Sequence, residues 1–135
     1  MCNGMKKILL VEDDKLIANL MIHRLQGANF EVITAVNGLE AVKKAEQDLP
    51  DLILMDIRLP LLDGWEATKR IKSLPLTAHI PIIALTAQAS ITDKKRSLIA
   101  GCDAYASKPV HFSTLLEQME ALLEKVRQGD YGVSN

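Results

Sequence analysis

Five short apolar runs alternate with five stretches whose apolar residues recur at helical spacing, and this alternation constrains the fold more than any other feature of the chain. The runs are Lys6–Val11, Phe30–Ala35, Asp51–Asp56, Ile80–Ala87 and Ala104–Ser107. Parallel strands need a crossover between them, and a crossover helix covers the sheet it crosses. Alternation therefore calls for an α/β fold, a parallel sheet with helices on both faces. Asp51–Asp56 and Ile80–Ala87 are nearly continuous apolar runs, as strands buried on both faces are. Phe30–Ala35 alternates apolar with polar, which gives it one wet face and a place near an edge. With right-handed crossovers these features favour the flavodoxin-like order 2-1-3-4-5, a (βα)5 arrangement.

The intervening segments carry helix signals. Leu16, Ile17, Leu20, Met21 and Leu25 form one stripe, and Gly27 stops it. Asn37-Gly38 marks a turn before a helix through Val42 and Ala45, which ends ahead of Pro50. Further helices are expected from about Gly64 to Lys72 and over Thr92–Ala100. The last places Leu115, Leu116, Met119, Leu122, Leu123 and Val126 on one stripe.

A length of 135 residues suits one domain, expected over residues 6–126 with flexible termini at 1–5 and 127–135. Aromatic residues are only 4% of the chain, so the core must be mostly aliphatic. The formal net charge of −1 offers no general attraction for nucleic acid or anionic lipid, so any anion site must be local. No basic stripe or helix-turn-helix follows the last helix, so no direct nucleic-acid contact is expected. No apolar run is long enough to cross a bilayer, and the opening residues lack a signal peptide's layout. Cys2 and Cys102 lie too far apart in sequence to suggest a metal or disulfide framework. They are read as free thiols in a reducing compartment, and a cytoplasmic, free-standing protein without membrane insertion is expected. His23, His79 and His111 are scattered without metal-ligand spacing, and Trp65 and Phe112 are expected to bury against the sheet.

In a sheet of this order, ligands sit outside the carboxyl ends of the strands, where strand order reverses. The first strand is followed by Glu12, Asp13 and Asp14, and the third ends on Asp56 with Arg58 two residues on. The fourth reaches Thr86 and then Gln88, and the fifth leads to Lys108 and Pro109. Several carboxylates, a hydroxyl and an ammonium thus converge on one rim. Crowded carboxylates raise one another's pKa unless a cation joins them. Hard oxygen donors in a partly hydrated cleft suit Mg2+ (or Mn2+), which also favours a phosphate ligand. Asp14 doubles as a helix N-cap, since acids favour the first turn. Asp56, held by a stiff buried strand, is placed to act as a nucleophile toward a phosphoryl group, with Thr86 and Lys108 placed to meet the phosphoryl oxygens. The backbone carbonyl of Arg58 is assigned to the metal, with its side chain in solvent.

The blocks "ILLVEDD", "LILMDIRLPLLDGWE", "IIALTA" and "AYASKP", in this order and spacing, resemble the signature blocks of bacterial response-regulator receiver domains, the CheY-like superfamily. The resemblance spans about Lys6 to Val126, and within it the chain is similar to stand-alone receivers of the DivK type. It implies two-component signalling. Asp56 would be the phosphoacceptor, Asp13 a direct ligand of Mg2+, Glu12 a ligand through water, and Arg58 a main-chain ligand. Thr86 and Lys108 would contact the phosphoryl group, and Lys108-Pro109 would be a cis peptide. Thr86 and Tyr105 would form the switch, altering the surface of the fourth helix, fifth strand and fifth helix. Arg58 and Gln88 would tune the lifetime of the phosphorylated state. The implied partners are a sensor histidine kinase or histidine phosphotransfer protein and an unidentified downstream protein. The domain would be no enzyme toward other substrates, promoting only its own phosphorylation and dephosphorylation.

Other readings meet specific obstacles. An aspartyl phosphatase of the haloacid-dehalogenase type would want a second Asp where Arg58 stands. A flavodoxin would want a Ser/Thr/Gly-rich phosphate loop after the first strand, where "EDD" would repel a phosphate lacking a metal. A degenerate receiver, binding without phosphorylation, would lack some of the site residues, and here the set is complete.

Overall fold

The computed structural model describes residues 5–59, 61–87 and 91–127, apart from the side chains of 91, 92 and 127. Ten elements alternate: β1 Lys7–Val11, α1 Lys15–Gly27, β2 Glu31–Ala35, α2 Gly38–Asp48, β3 Leu52–Asp56, α3 Gly64–Ser73, β4 Ile82–Thr86, α4 Ile91–Ala100, β5 Ala104–Ser107 and α5 Phe112–Arg127. The strands form one sheet in the order β2-β1-β3-β4-β5, with every neighbouring pair parallel. The expected topology is therefore observed, with the half-wet β2 at one edge.

Because side chains alternate along a strand, the sheet buries two separate aliphatic layers. Leu9, Val11, Ile53, Met55, Ile82 and Ala84 face α2 and α3, where Ala41, Ala45, Ala67 and Ile71 meet them. Ile8, Leu10, Leu52, Leu54, Ile83 and Leu85 face α1 and α5, against Met21, Leu25, Leu115, Met119 and Leu122. All five residues of β3 and of β4 are buried, so these strands fix the middle of the sheet.

The boundaries depart from expectation by a residue or two. Phe30 does not join β2, because its N–H bonds back to Leu25 at the end of α1. β4 starts at Ile82 rather than Ile80: Pro81 has no N–H to give, and the Ile80 N–H turns back to Thr77. The stripe expected along α1 is only half used. Met21 and Leu25 are buried, while Leu16 and Leu20 stay 72% and 61% exposed. Apart from Met5 and the backbone of Arg127, the termini expected to be flexible lie outside the described residues, as does Cys2.

Side-chain caps set where helices begin. Asp14 accepts from Leu16 and Ile17 at the start of α1, Asn37 from Glu40 in α2, and Asp63 from Glu66 in α3. At the opposite rim, Asp103 Oδ2 accepts the Ile82 N–H at 2.8 Å and pairs with Lys72 Nζ at 3.0 Å. Lys72 also donates to the carbonyl of Ile80, which ties α3, β4 and the entry to β5 together. Among the described residues, no helix is long and apolar enough to cross a membrane.

Candidate functional site

Parallel strands end on one side, so β1, β3, β4 and β5 deliver their following residues to a common rim. Register brings Val11 beside Met55, Asp56 beside Leu85, and Thr86 beside Ser107. Backbone bonds carry the ordering past the strand ends: the Glu12 N–H donates to Ala35 O, and the Lys108 N–H to Thr86 O at 2.7 Å. Glu12, Asp56 and Thr86 are buried, at 4%, 4% and 6% exposure, while Asp13 is exposed.

Lys108 joins the acids. Its Nζ lies 3.2 Å from Asp56 Oδ2 and 3.3 Å from Glu12 Oε1. The other oxygens are also committed: the Asp14 N–H donates to Glu12 Oε2, and the Arg58 N–H donates to Asp56 Oδ1 at 3.1 Å. Even so, burial raises the Glu12 carboxyl above its ordinary pKa, and the Asp56 charge adds to the rise; the Asp14 N–H and Lys108 oppose it. One ammonium is not enough for the buried charge.

The donor set fits a divalent cation. Carboxylate oxygens of Glu12, Asp13 and Asp56 all lie within 4.8 Å of one another. Three hard oxygen donors, two of them buried and one open to water, are what an ion that keeps part of its hydration shell requires. Beside them opens a cleft of about 560 Å3, lined by Asp13, Arg58, Thr86, Trp65, Asp93 and Arg96.

Two glycines allow the loops to close on this rim. The Gly64 N–H donates to Ile57 O, and a Cβ at Gly64 would stand 2.3 Å from the Asp56 carbonyl oxygen. A Cβ at Gly38 would stand 1.9 Å from Leu62 O. Glycine is therefore demanded by backbone approach at both positions.

The sequence-derived residues come together: Glu12, Asp13, Asp56, Arg58, Thr86 and Lys108 share the rim. Arg58 points an exposed side chain outward, and Lys108-Pro109 is cis. Tyr105 lies on β5, half-buried, with Lys94 Nζ 5.2 Å from its ring centroid and Gln118 Nε2 donating to its carbonyl. Gln88 lies outside the described residues. Asp14 serves α1 as its cap. The three histidines are exposed and apart. Cys102 is a buried free thiol. Trp65 packs half-buried against the layer of core on the α2–α3 face of the sheet, as expected, and its indole Nε1–H also donates to Ser97 Oγ of α4 at 3.1 Å. Sequence reasoning missed Arg96, whose guanidinium lies 3.8 Å from the centre of that indole and lines the cleft. Its only sequence signal was the run of bases Lys94, Lys95 and Arg96 in a polar helix.

Comparison with known proteins agrees with this geometry. Residues 8–120 match the response regulator receiver domain family. The chain is 41% identical over 118 residues to the polar-differentiation response regulator DivK of Brucella anthropi, covering 87% of this chain and 96% of that protein. Among solved structures it is similar to a CheY-like receiver domain protein of Methanospirillum hungatei, with TM-score 0.86, 33% identity, and coverage of 93% and 98%. It is also similar to the receiver domain of a Pseudomonas aeruginosa sensor histidine kinase, solved with magnesium coordinated in its active-site cleft. There the TM-score is 0.84 and the identity 36%, covering 89% of this chain and 98% of that one. Fold, strand-end chemistry and relatives converge: the chain belongs to the response regulator receiver domain family, the phosphoacceptor modules of two-component signalling.

Proposed function

We propose that Asp56 is the phosphoacceptor of this receiver, and that the rim around it both promotes the transfer and reads its result. The observation that carries this reading is Lys108 Nζ held between Asp56 Oδ2 and Glu12 Oε1 beside the exposed Asp13 carboxylate. A carboxylate of Asp56 attacks the phosphorus of a phosphohistidine; the O–P bond forms as the N–P bond breaks, and the imidazole leaves with the electron pair. Glu12, Asp13, Asp56 and the Arg58 carbonyl would hold Mg2+ (or Mn2+), which when bound supplies neutralising charge to the phosphoryl oxygens. Lys108 gives up its contact with Asp56 and pairs with a phosphoryl oxygen. Thr86, at the end of β4, donates its hydroxyl to another. Hydrolysis of the acyl phosphate by water returns the resting state. Arg58 and Gln88 are proposed to govern that water's access.

The donor is proposed to be a sensor histidine kinase or a histidine phosphotransfer protein. Beside the rim, Ile17 and Leu20 of α1 stay exposed and line a mainly apolar hollow together with Lys108, Pro109 and Phe112. That flank suits a protein donor better than a small one. Thr86 and Tyr105 would pass the change to the α4–β5–α5 surface for a downstream protein in the cytoplasm. Taking a two-state switch from 1:99 to 99:1 requires about 5.5 kcal/mol of differential binding, and the proposed source is a dianion shared by a lysine, a hydroxyl and a cation.

The test is incubation with acetyl phosphate and Mg2+, followed by intact mass. The wild type gains about 80 Da and Asp56→Asn gains nothing. A wild type that stays at its starting mass, or a mutant that gains equally, overturns the assignment.

A further inference from the structure

Over its described side chains, residues 93–100, α4 is held by little apolar contact. Of residues 93–100 only Ser97 and Ala100 are buried, and Leu98 and Ile99 are 66% and 79% exposed. Elements with few buried apolar contacts sit at the low-stability end of a fold. What grips α4 instead is polar. Arg96 stacks on Trp65 at 3.8 Å, Trp65 Nε1–H donates to the buried Ser97, and Lys94 lies over Tyr105 at 5.2 Å. The first two contacts fasten α4 to the start of α3.

Arg96 belongs to two places at once. Its guanidinium covers the indole, and it lines the same cleft as Asp13, Arg58 and Thr86. A cation on an aromatic face is held by a modest electrostatic attraction. A phosphoryl group brings about 1.5 to 2 negative charges into that cleft, and guanidinium prefers phosphate oxygens to an aromatic face. Asp93, one turn earlier on α4 and lining the cleft as well, is repelled by the same charge, so the field turns the helix rather than drawing it in whole.

We propose that the Arg96–Trp65 stack is a latch between α3 and α4 that the phosphoryl group on Asp56 releases. Arg96 acts as a positioning residue: the dianion draws its guanidinium from the indole and frees α4 to move. This rests on Asp56 being the phosphoacceptor, and deepens that reading by naming the device that couples the acyl phosphate to α4.

Trp65 is the only tryptophan of the chain, so its emission reports the latch directly. Tryptophan emission and intact mass are followed in parallel during incubation with acetyl phosphate and Mg2+. In the wild type, the maximum and intensity shift in step with the gain of about 80 Da. In Asp56→Asn neither changes. Arg96→Gln, an exposed position, starts with its emission already displaced toward the phosphorylated wild-type value. Compared at equal extents of phosphorylation, its response falls to under a fifth, roughly the loss expected when the stacked cation is gone. Arg96→Lys, which keeps the charge but not the planar stack, falls between. A wild type that gains mass with unchanged emission overturns the latch while leaving the phosphoacceptor standing. So does an Arg96→Gln response equal to the wild type's. A wild type that gains no mass overturns both.

Discussion

Lys108 is the cation nearest both buried acids, with Asp56 and Glu12 each within about a hydrogen-bond length of its Nζ. Removing it leaves two like charges facing each other, and an uncompensated buried charge is costly. Because the lysine side chain is 24% exposed, the cost is discounted to about 2 kcal/mol. Lys108→Ala should therefore lower the urea midpoint in chelator, and Mg2+ should recover part of the loss; an unchanged midpoint in chelator would count against the bridge. Glu12 follows a definite sign. Its folded pKa is raised, so its contribution favours the fold below about 4.5 and is lost as pH rises through the folded value. Cys102 behaves alike and for the same leading reason: burial pushes its thiol from 9.0 to about 11, so its contribution holds below 9.0 and fades toward 11. At pH 8 its thiolate is scarcer by about a hundredfold than at an ordinary thiol, and alkylation of the native protein should slow by about that factor. Peptide mapping after iodoacetamide treatment measures it, and native labelling as fast as in urea would refute it.

The elements were largely readable from the sequence, since strands buried on both faces show as unbroken apolar runs, α1, α2 and α3 start on side-chain caps, and Gly101 follows α4. Gly64 gives that reading an energetic test. A Cβ there would strike the backbone at the end of β3, 2.3 Å from Asp56 O, and backbone cannot yield as a flexible side chain does. Gly64→Ala is expected to cost about 2–3 kcal/mol in urea unfolding and to slow phosphorylation by moving Asp56; a variant of native stability would show that the β3–α3 loop yields. The acids, Thr86 and Lys108 were legible because strand order alone sends them to one rim. The half-used stripe of α1 was not, because periodicity reveals which residues share a face but not how much of that face a neighbour covers. The contact of Arg96 with Trp65 was hidden for a related reason. It depends on how α4 sits against α3, and no local pattern encodes that docking.

Over the whole molecule, two aliphatic layers hold a sheet whose chemistry lies at one end. A cation that binds only the folded rim must stabilise all of it, by about 2.7 kcal/mol at a hundred times its dissociation constant. For a domain of this size that corresponds to a rise of roughly 5–10 °C in Tm. Calorimetry with and without Mg2+ should show the rise in the wild type and lose most of it in Asp13→Asn; equal shifts in both would place the ion elsewhere. The far end of the sheet has a separate logic. There Asp51 accepts the Lys7 N–H, and Lys72 with Asp103 braces the entries to β4 and β5. Since every helix-to-strand turn lies at that end, the turns near Asn29 and His79 are natural points for grafting a fluorophore or affinity handle: cargo attached there would face away from the acidic rim and leave its chemistry untouched.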